Sequence, residues 1–134
     1  MSSDLSAAIK ANLITYSSEI SAGVKKAVDK NVDVLEADLK RDSPKRKGSY
    51  RRQGKYRPGS YARSWRTIVT SNTFSTYRKE VFNKDHYQLT HLLEKGHAKR
   101  GGGRVAARVH IAPAEEKAVK NYEKDIEKLI KATQ

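Results

Sequence analysis

The chain has 134 residues, and its 28 Lys and Arg outnumber 15 Asp and Glu, which gives a formal net charge of +13. This length predicts a single domain, residues 1–134, with a modest core. The charge predicts attraction to polyanions or to an acidic protein surface, without choosing between them. The absence of cysteine excludes disulfides and thiolate metal sites and suits a reducing cytoplasm. No stretch predicts a signal peptide or a bilayer span, so we expect a soluble protein without a membrane partner.

The amino-terminal third of the sequence predicts one long amphipathic helix over residues 4–40. A helix of that length would span roughly 55 Å, almost twice the width of a small domain. Either it bends or breaks near Gly23 and packs on its own core, or its far half packs on another subunit, and the two are compatible. Its apolar side chains recur at steps of three or four: Leu5, Ile9, Leu13, Tyr16, Ile20, Val24, Val28, Val32, Leu35 and Leu39.

A basic stretch follows the helix. Pro44 should end the helix at Ser43, because proline disfavours the helical conformation in the residue before it. Residues 41–63 then predict a basic loop or arm with interleaved tyrosines. It is either a polyanion contact or a loop that orders against a neighbouring subunit. The candidate contacts to DNA or to an acidic partner are Lys45, Arg46, Lys47, Arg51, Arg52, Lys55 and Arg57.

The remaining sequence predicts a small sheet and a closing helix. Residues 65–70 and 77–82 alternate apolar and polar side chains, and residues 105–111 are β-prone, so residues 64–111 should hold a mainly antiparallel sheet. A short helix from Tyr87 should cross between the second and third strands. Residues 113–132 predict a carboxy-terminal helix. Its core-facing side chains should be Ala118, Val119, Tyr122, Ile126, Leu129 and Ile130.

The segment from Tyr87 to Ala114 predicts a helix, a flexible basic loop, a strand and another helix. Gly96 should end the first helix in the left-handed conformation. The glycine run that follows lacks the lysine and hydroxyl of a phosphate-binding loop, and the order of elements is the reverse of a dinucleotide fold. We therefore predict a flexible basic loop rather than a nucleotide-binding loop. Its candidate residues are His97, Lys99, Arg100, Gly101, Gly102, Gly103 and Arg104.

The sequence offers no arrangement of residues for chemistry. None of the four histidines pair at the spacing that would place two metal ligands on one helical face, and no serine lies in a nucleophile motif. We therefore expect no metal, no cofactor and no catalytic activity.

Several sequence segments together resemble a known family. They are the long amino-terminal helix, the Ser-Pro stop, a basic stretch ending in YARSW, then YQLTHLLEKGHAKRGGGRV and HIAPAEE. This order is similar to that of the head-to-tail joining family of siphophages, whose members are called neck, minor capsid or tail-completion proteins. The most specific matches are Leu93, Glu94, Gly96 and His97, the glycine loop, and residues 111–114.

The resemblance implies an α+β fold in which the long helix and the carboxy-terminal helix pack on a sheet of three or four strands. It also implies a virion protein that forms a homo-oligomeric ring at the neck around the DNA channel. Its partners would be the connector or head-completion protein, the tail-terminator protein and, non-specifically, DNA. In such a ring the flexible basic loop would be an assembly loop that reshapes when the ring docks on its neighbour. The alternative from composition is a free, non-sequence-specific nucleic-acid-binding protein that uses residues 41–66 with Lys99, Arg100, Arg104 and Arg108.

Overall fold

The computed structural model describes residues 3–45 and 59–133, with side chains described from residue 18 onward. The fold class is α+β, as predicted, and the chain forms four helices and four strands within these ranges. In chain order they are α1 (Ser3–Asp42), α2 (Ser60–Arg63), β1 (Trp65–Asn72), β2 (Tyr77–Asn83), α3 (Tyr87–Lys95), β3 (His97–Ala98), β4 (Arg104–Val105) and α4 (Ile111–Ala132).

Helices α1 and α4 pack side by side in opposite directions. Near the carboxy-terminal end of α1, the buried Asp38 carboxylate lies 3.0 Å from Lys117 Nζ. Two turns earlier in α1, Asn31 Nδ2 donates to Asp125 Oδ2 at 2.9 Å. These contacts fix the register of α4 against α1, because each joins a polar group on one helix to its partner on the other.

Helix α1 runs unbroken through Gly23, so the predicted alternative of a break at this residue is wrong. Gly23 instead allows close approach, because a Cβ atom there would lie 2.4 Å from Leu129 Cδ1 of α4. Since α4 ends only three residues later, the 40-residue α1 extends past it. The part of α1 beyond α4, from Ser3 to about Ile20, measures roughly 25 Å at the helical rise per residue.

Strands β1 and β2 form an antiparallel hairpin that lies against α1. The register pairs Trp65 with Asn83 and Thr67 with Val81, and it shifts at an irregularity between Val69 and Ser71. Lys79 of β2 reaches Asp29 of α1 at 2.6 Å. At the tip of the hairpin Phe74 is 67% exposed, so the hairpin carries buried side chains only at its base.

The described core is small and lies where α1, α2, β1 and α4 meet. Its buried members are Leu39, Tyr61, Trp65 and Ala114, with half-buried Leu35, Val81, Leu89, Leu93 and Ile111 around them. Ser43 follows the end of α1 within this core, where its hydroxyl donates a hydrogen bond to the Leu39 carbonyl. The same hydroxyl accepts a hydrogen bond from Trp65 Nε1 at 2.7 Å. The predicted helix end before Pro44 is confirmed.

Two predictions in the second half of the chain are corrected. Residues 105–111 do not form one strand: only Val105 pairs, and it pairs with His97 in a second two-stranded sheet. On α4, Val119 and Ile130 do not face the core but are 54% and 41% exposed. Both errors have one cause, since apolar sequence does not tell which surface a neighbouring element covers.

Candidate functional site

The candidate site is the hairpin that β3 and β4 form, here called the basic hairpin (residues 96–108). It begins at Gly96, which ends α3 with φ 72° and ψ 177°. The positive φ agrees with the prediction, but the ψ value is extended, so the conformation is not the left-handed helical one. A Cβ atom at Gly96 would lie 2.5 Å from the Val105 carbonyl oxygen, so glycine allows the two arms to meet.

The turn of the basic hairpin is hydrogen-bonded. The Lys99 backbone N–H donates to the Gly103 carbonyl at 3.0 Å, and the Gly102 N–H donates to the Lys99 carbonyl at 3.2 Å. Gly102 and Gly103 have φ values of 100° and 80°, which other residues adopt only at a cost. The predicted loop is therefore a closed turn in this structure, and these two glycines serve its backbone geometry.

The cations of the basic hairpin face solvent without nearby acids. Lys99, Arg100, Arg104 and Arg108 are all exposed, and the sequence between Lys95 and His110 contains no Asp or Glu. Within the described residues, none of these four cations takes part in an ion pair. Concentrated positive charge on a short exposed turn can bind phosphates or a complementary acidic protein surface.

Glu94, in the last turn of α3, holds the base of the hairpin to the start of α4. Its carboxylate accepts backbone N–H bonds from His110 at 3.0 Å, Ile111 at 2.9 Å and Ala112 at 3.1 Å. Pro113, next in the chain, has no N–H to satisfy. A distant glutamate thus caps α4, where its negative charge also meets the positive end of the helix dipole.

The capping bonds set the ionisation of Glu94. Partial burial raises the pKa of the carboxyl, but the N–H bonds from His110, Ile111 and Ala112 favour the charged form and outweigh it. The net result is a pKa below the ordinary value. Glu94 is therefore a structural carboxylate, charged in the folded protein at neutral pH.

His110 continues this network into the core. Its Nδ1 lies 2.8 Å from the Arg108 carbonyl oxygen, and its Nε2 lies 2.8 Å from the Tyr61 hydroxyl. Because a carbonyl only accepts, Nδ1 carries the proton, and in the neutral ring Nε2 accepts from Tyr61. Burial raises the pKa of Tyr61, and the nearby Glu94 charge raises it further, so its hydroxyl stays a donor. The basic hairpin is thereby anchored at both ends.

The structure covers the two predicted groups of site residues unequally. Lys45 is exposed at the end of the first described range, whereas Arg46, Lys47, Arg51, Arg52, Lys55 and Arg57 lie outside the described residues. The predicted assembly loop lies on the basic hairpin, with His97 in β3 half-buried and the remaining members, Lys99, Arg100, Gly101, Gly102, Gly103 and Arg104, exposed. Its role in assembly stays a prediction.

Sequence reasoning missed three residues that position this site. Glu94, Tyr61 and His110 were not selected for these contacts, because they are separated in sequence and meet only through the fold. One signal was available for Glu94: the segment before Pro113 has no Ser, Thr, Asp or Asn to cap the next helix. A helix start without a local cap indicates that a cap comes from elsewhere.

Across residues 3–45 and 59–133 there is no cluster of three or more His, Cys, Asp or Glu that could hold a metal ion. None of the described helices is long and apolar enough to cross a membrane.

Together the fold and the exposed hairpin describe a small α+β protein with exposed charged surfaces. The comparisons with known proteins place it more closely. Residues 7–96 match the sequence model of the HK97-gp10-like family, described as "Bacteriophage HK97-gp10, putative tail-component". The match covers more than half of the chain, and the chain therefore belongs to this family. No curated protein and no solved structure matched the chain.

Family membership carries a coarse statement of function. The family is one of phage tail components, which supports a structural protein of the virion that contacts other virion proteins. The matched region includes α1 from residue 7 onward, then α2, β1, β2 and α3, and it ends at Gly96, the first residue of the basic hairpin. The rest of the hairpin and α4 thus lie outside the matched residues.

Proposed function

We propose that this protein is a non-catalytic structural component of the phage neck. In this proposal copies of the chain form a ring that joins the connector of the DNA-filled head to the tail terminator. The observation that carries the proposal is the family match over residues 7–96. A joint between two multimeric parts requires contact surfaces rather than reactive groups, and the exposed features of the chain are of that kind.

Two structural features support multimerisation. Helix α1 extends roughly 25 Å past the end of α4, and its apolar residues continue into that extension at helical spacing. Phe74 at the tip of the long hairpin is 67% exposed, and Tyr87 at the start of α3 is 65% exposed. A partner that covered these two side chains would remove their apolar surface from water.

The experiment is to prevent production of the protein in an infected cell and to examine the lysate by electron microscopy. We expect filled heads and complete but separate tails, and we expect joined virions to return when the protein is supplied from a plasmid. Joined, infectious particles formed without the protein would overturn the proposal. A lysate that lacks tails entirely would place the protein in tail assembly instead of at the joint.

One observation favours a second candidate, a nucleic-acid-binding role with no part in joining. The four exposed cations of the basic hairpin have no acidic partner among the described residues. They are therefore free to contact phosphates. The logarithm of DNA affinity should then fall linearly with the logarithm of salt concentration, with a slope reduced by about one for each cation removed. Affinity too weak to measure at low salt would rule this candidate out.

A further inference from the structure

Helix α4 carries an exposed stripe that is acidic and apolar, in a chain whose net charge is +13. Counting along the helix in steps of three or four gives one line of residues, here called the α4 outer stripe: Ala112, Glu116, Val119, Glu123, Glu127 and Ile130. All six are exposed, and the line is roughly 27 Å long at the helical rise per residue. The stripe combines negative charge with uncovered apolar surface.

The charges of α4 are segregated around the helix. Lys117, Lys120, Lys124, Lys128 and Lys131 follow a second line at steps of three or four, while Ala114, Ala118, Tyr122, Asp125 and Leu129 form the line that faces α1. The lysine line adjoins the outer stripe, because Lys120 stands four residues after Glu116 and Lys131 four residues after Glu127. Among the described side chains, neither of these pairs forms an ion pair. Val119, 54% exposed, lies between Glu116 and Glu123 in a shallow depression.

The glutamates of the outer stripe form no ion pair with any described cation of the chain. Among the residues whose side chains are described, no ion pair involves Glu116, Glu123 or Glu127. The basic hairpin has the matching property, with exposed cations that lack acids, and Val109 beside it is 58% exposed. Each surface thus combines unpaired charge of one sign with an uncovered valine.

We infer that the basic hairpin of one copy of this chain docks on the α4 outer stripe of the next copy. This inference rests on the proposed ring and identifies the surfaces that form it. The chain itself presents both halves of the contact, so opposite charges pair and two apolar surfaces leave water together. Because the two surfaces differ, the contact is head to tail, and repetition generates a ring if the rotation closes.

The absence of cysteine from the chain permits a direct test with the full-length protein. Gly101→Cys places a thiol at the hairpin tip, where nothing lies within 4 Å and φ is not positive. Val119→Cys places one in the outer stripe. Under mild oxidation the double variant should give a ladder of covalent trimers and larger species, because a disulfide traps even a weak head-to-tail contact. Each single variant can give at most a covalent dimer.

The matched control pairs Gly101→Cys with Lys124→Cys, which is exposed on the lysine side of the same helix. This pair should give no ladder. An equal ladder from the control, or no ladder from the Gly101 and Val119 pair, overturns the inference. A disulfide within one monomer also overturns it, because the hairpin would then fold on its own α4.

Charge reversal in the Gly101→Cys, Val119→Cys double variant supplies a second test. Glu116→Lys with Glu123→Lys should reduce the ladder about tenfold, since like charges across an interface repel. Adding Lys99→Glu and Arg100→Glu to that chain should restore it. If cross-linking contradicts the inference, but infection without the protein still gives separate heads and tails, the inference is wrong and the proposed function stands.

Discussion

The carboxylate of Glu94 lies 2.9 Å from the backbone nitrogen of Ile111, so the last turn of α3 caps the first turn of α4. The residues between Glu94 and Ile111 include the basic hairpin, so this contact holds the two ends of the hairpin together. The position of the charged turn relative to the helices therefore depends on this side chain, together with the contacts of His110 to the Arg108 carbonyl and the Tyr61 hydroxyl.

Replacement of Glu94 by glutamine should destabilise the protein by about 2 kcal/mol, the scale of a lost helix cap and charge-assisted hydrogen bonds. The neutral amide keeps the shape of the side chain but gives up one acceptor oxygen and the charge. Urea unfolding followed by fluorescence of the single tryptophan, Trp65, measures the change. The control is Glu115→Gln on exposed α4 surface, which should stay within about 0.5 kcal/mol. Equal midpoints for the two variants would contradict the capping role.

Stability should decrease in acid through the same carboxylate. The folded-state pKa of Glu94 lies below its ordinary value of 4.5, so the folded protein binds fewer protons than the unfolded chain. This contribution is complete above pH 4.5 and disappears as the pH falls through the folded pKa. The measurement is the free energy of unfolding from pH 7 downward. In the Glu94→Gln variant the acid-induced loss should be smaller, and an unchanged pH profile would show that Glu94 does not contribute.

Two other carboxylates add to the acid sensitivity and would remain in that variant. Hydrogen bonds from Lys79 and Tyr77 lower the pKa of Asp29, and the Asn31 amide, with Lys30, lowers that of Asp125. Both join α1 to another element. Asn31→Ala should therefore move the pKa of Asp125 upward, measured by NMR titration, while that of Asp29 stays constant.

Gly96 and Gly101 should differ sharply in their tolerance of alanine. At Gly96 the positive φ and the nearby Val105 carbonyl oppose a Cβ atom, so Gly96→Ala should cost about 2 kcal/mol or more. At Gly101 the space is open and φ is not positive, so Gly101→Ala should change stability by about 0.5 kcal/mol at most. Thermal unfolding of the two variants side by side gives the comparison. Similar losses for both would show that the hairpin is not held as described.

Ser43 should matter more than its small size indicates. Its hydroxyl accepts the Trp65 indole N–H at 2.7 Å in the core, and Ser43→Ala would leave that donor buried without a partner. The expected cost is about 1–3 kcal/mol of unfolding free energy. Ser75→Ala, on the exposed turn between β1 and β2, is the control and should be nearly neutral. If the two variants unfold at the same urea concentration, the indole has found another acceptor.

The sequence by itself determined the local elements of this protein. Helical spacing predicted α1 and α4, alternation predicted β1 and β2, and Pro44 predicted the end of α1, because each of these signals is read within one segment. The order of segments also carried the family resemblance, which the match over residues 7–96 confirms. The basic turn around Gly101 was visible for the same reason.

Only the tertiary structure decided which elements meet. The pairing of Val105 with His97, the exposure of Val119 and Ile130, and the capping of α4 by Glu94 all depend on contacts between segments. The pattern of residues within one segment does not show which other segment it contacts. An apolar residue gives the same pattern whether its own chain or another copy covers it. The charge on the basic hairpin was evident from sequence, but the acidic stripe that matches it emerged only when the buried face of α4 was known.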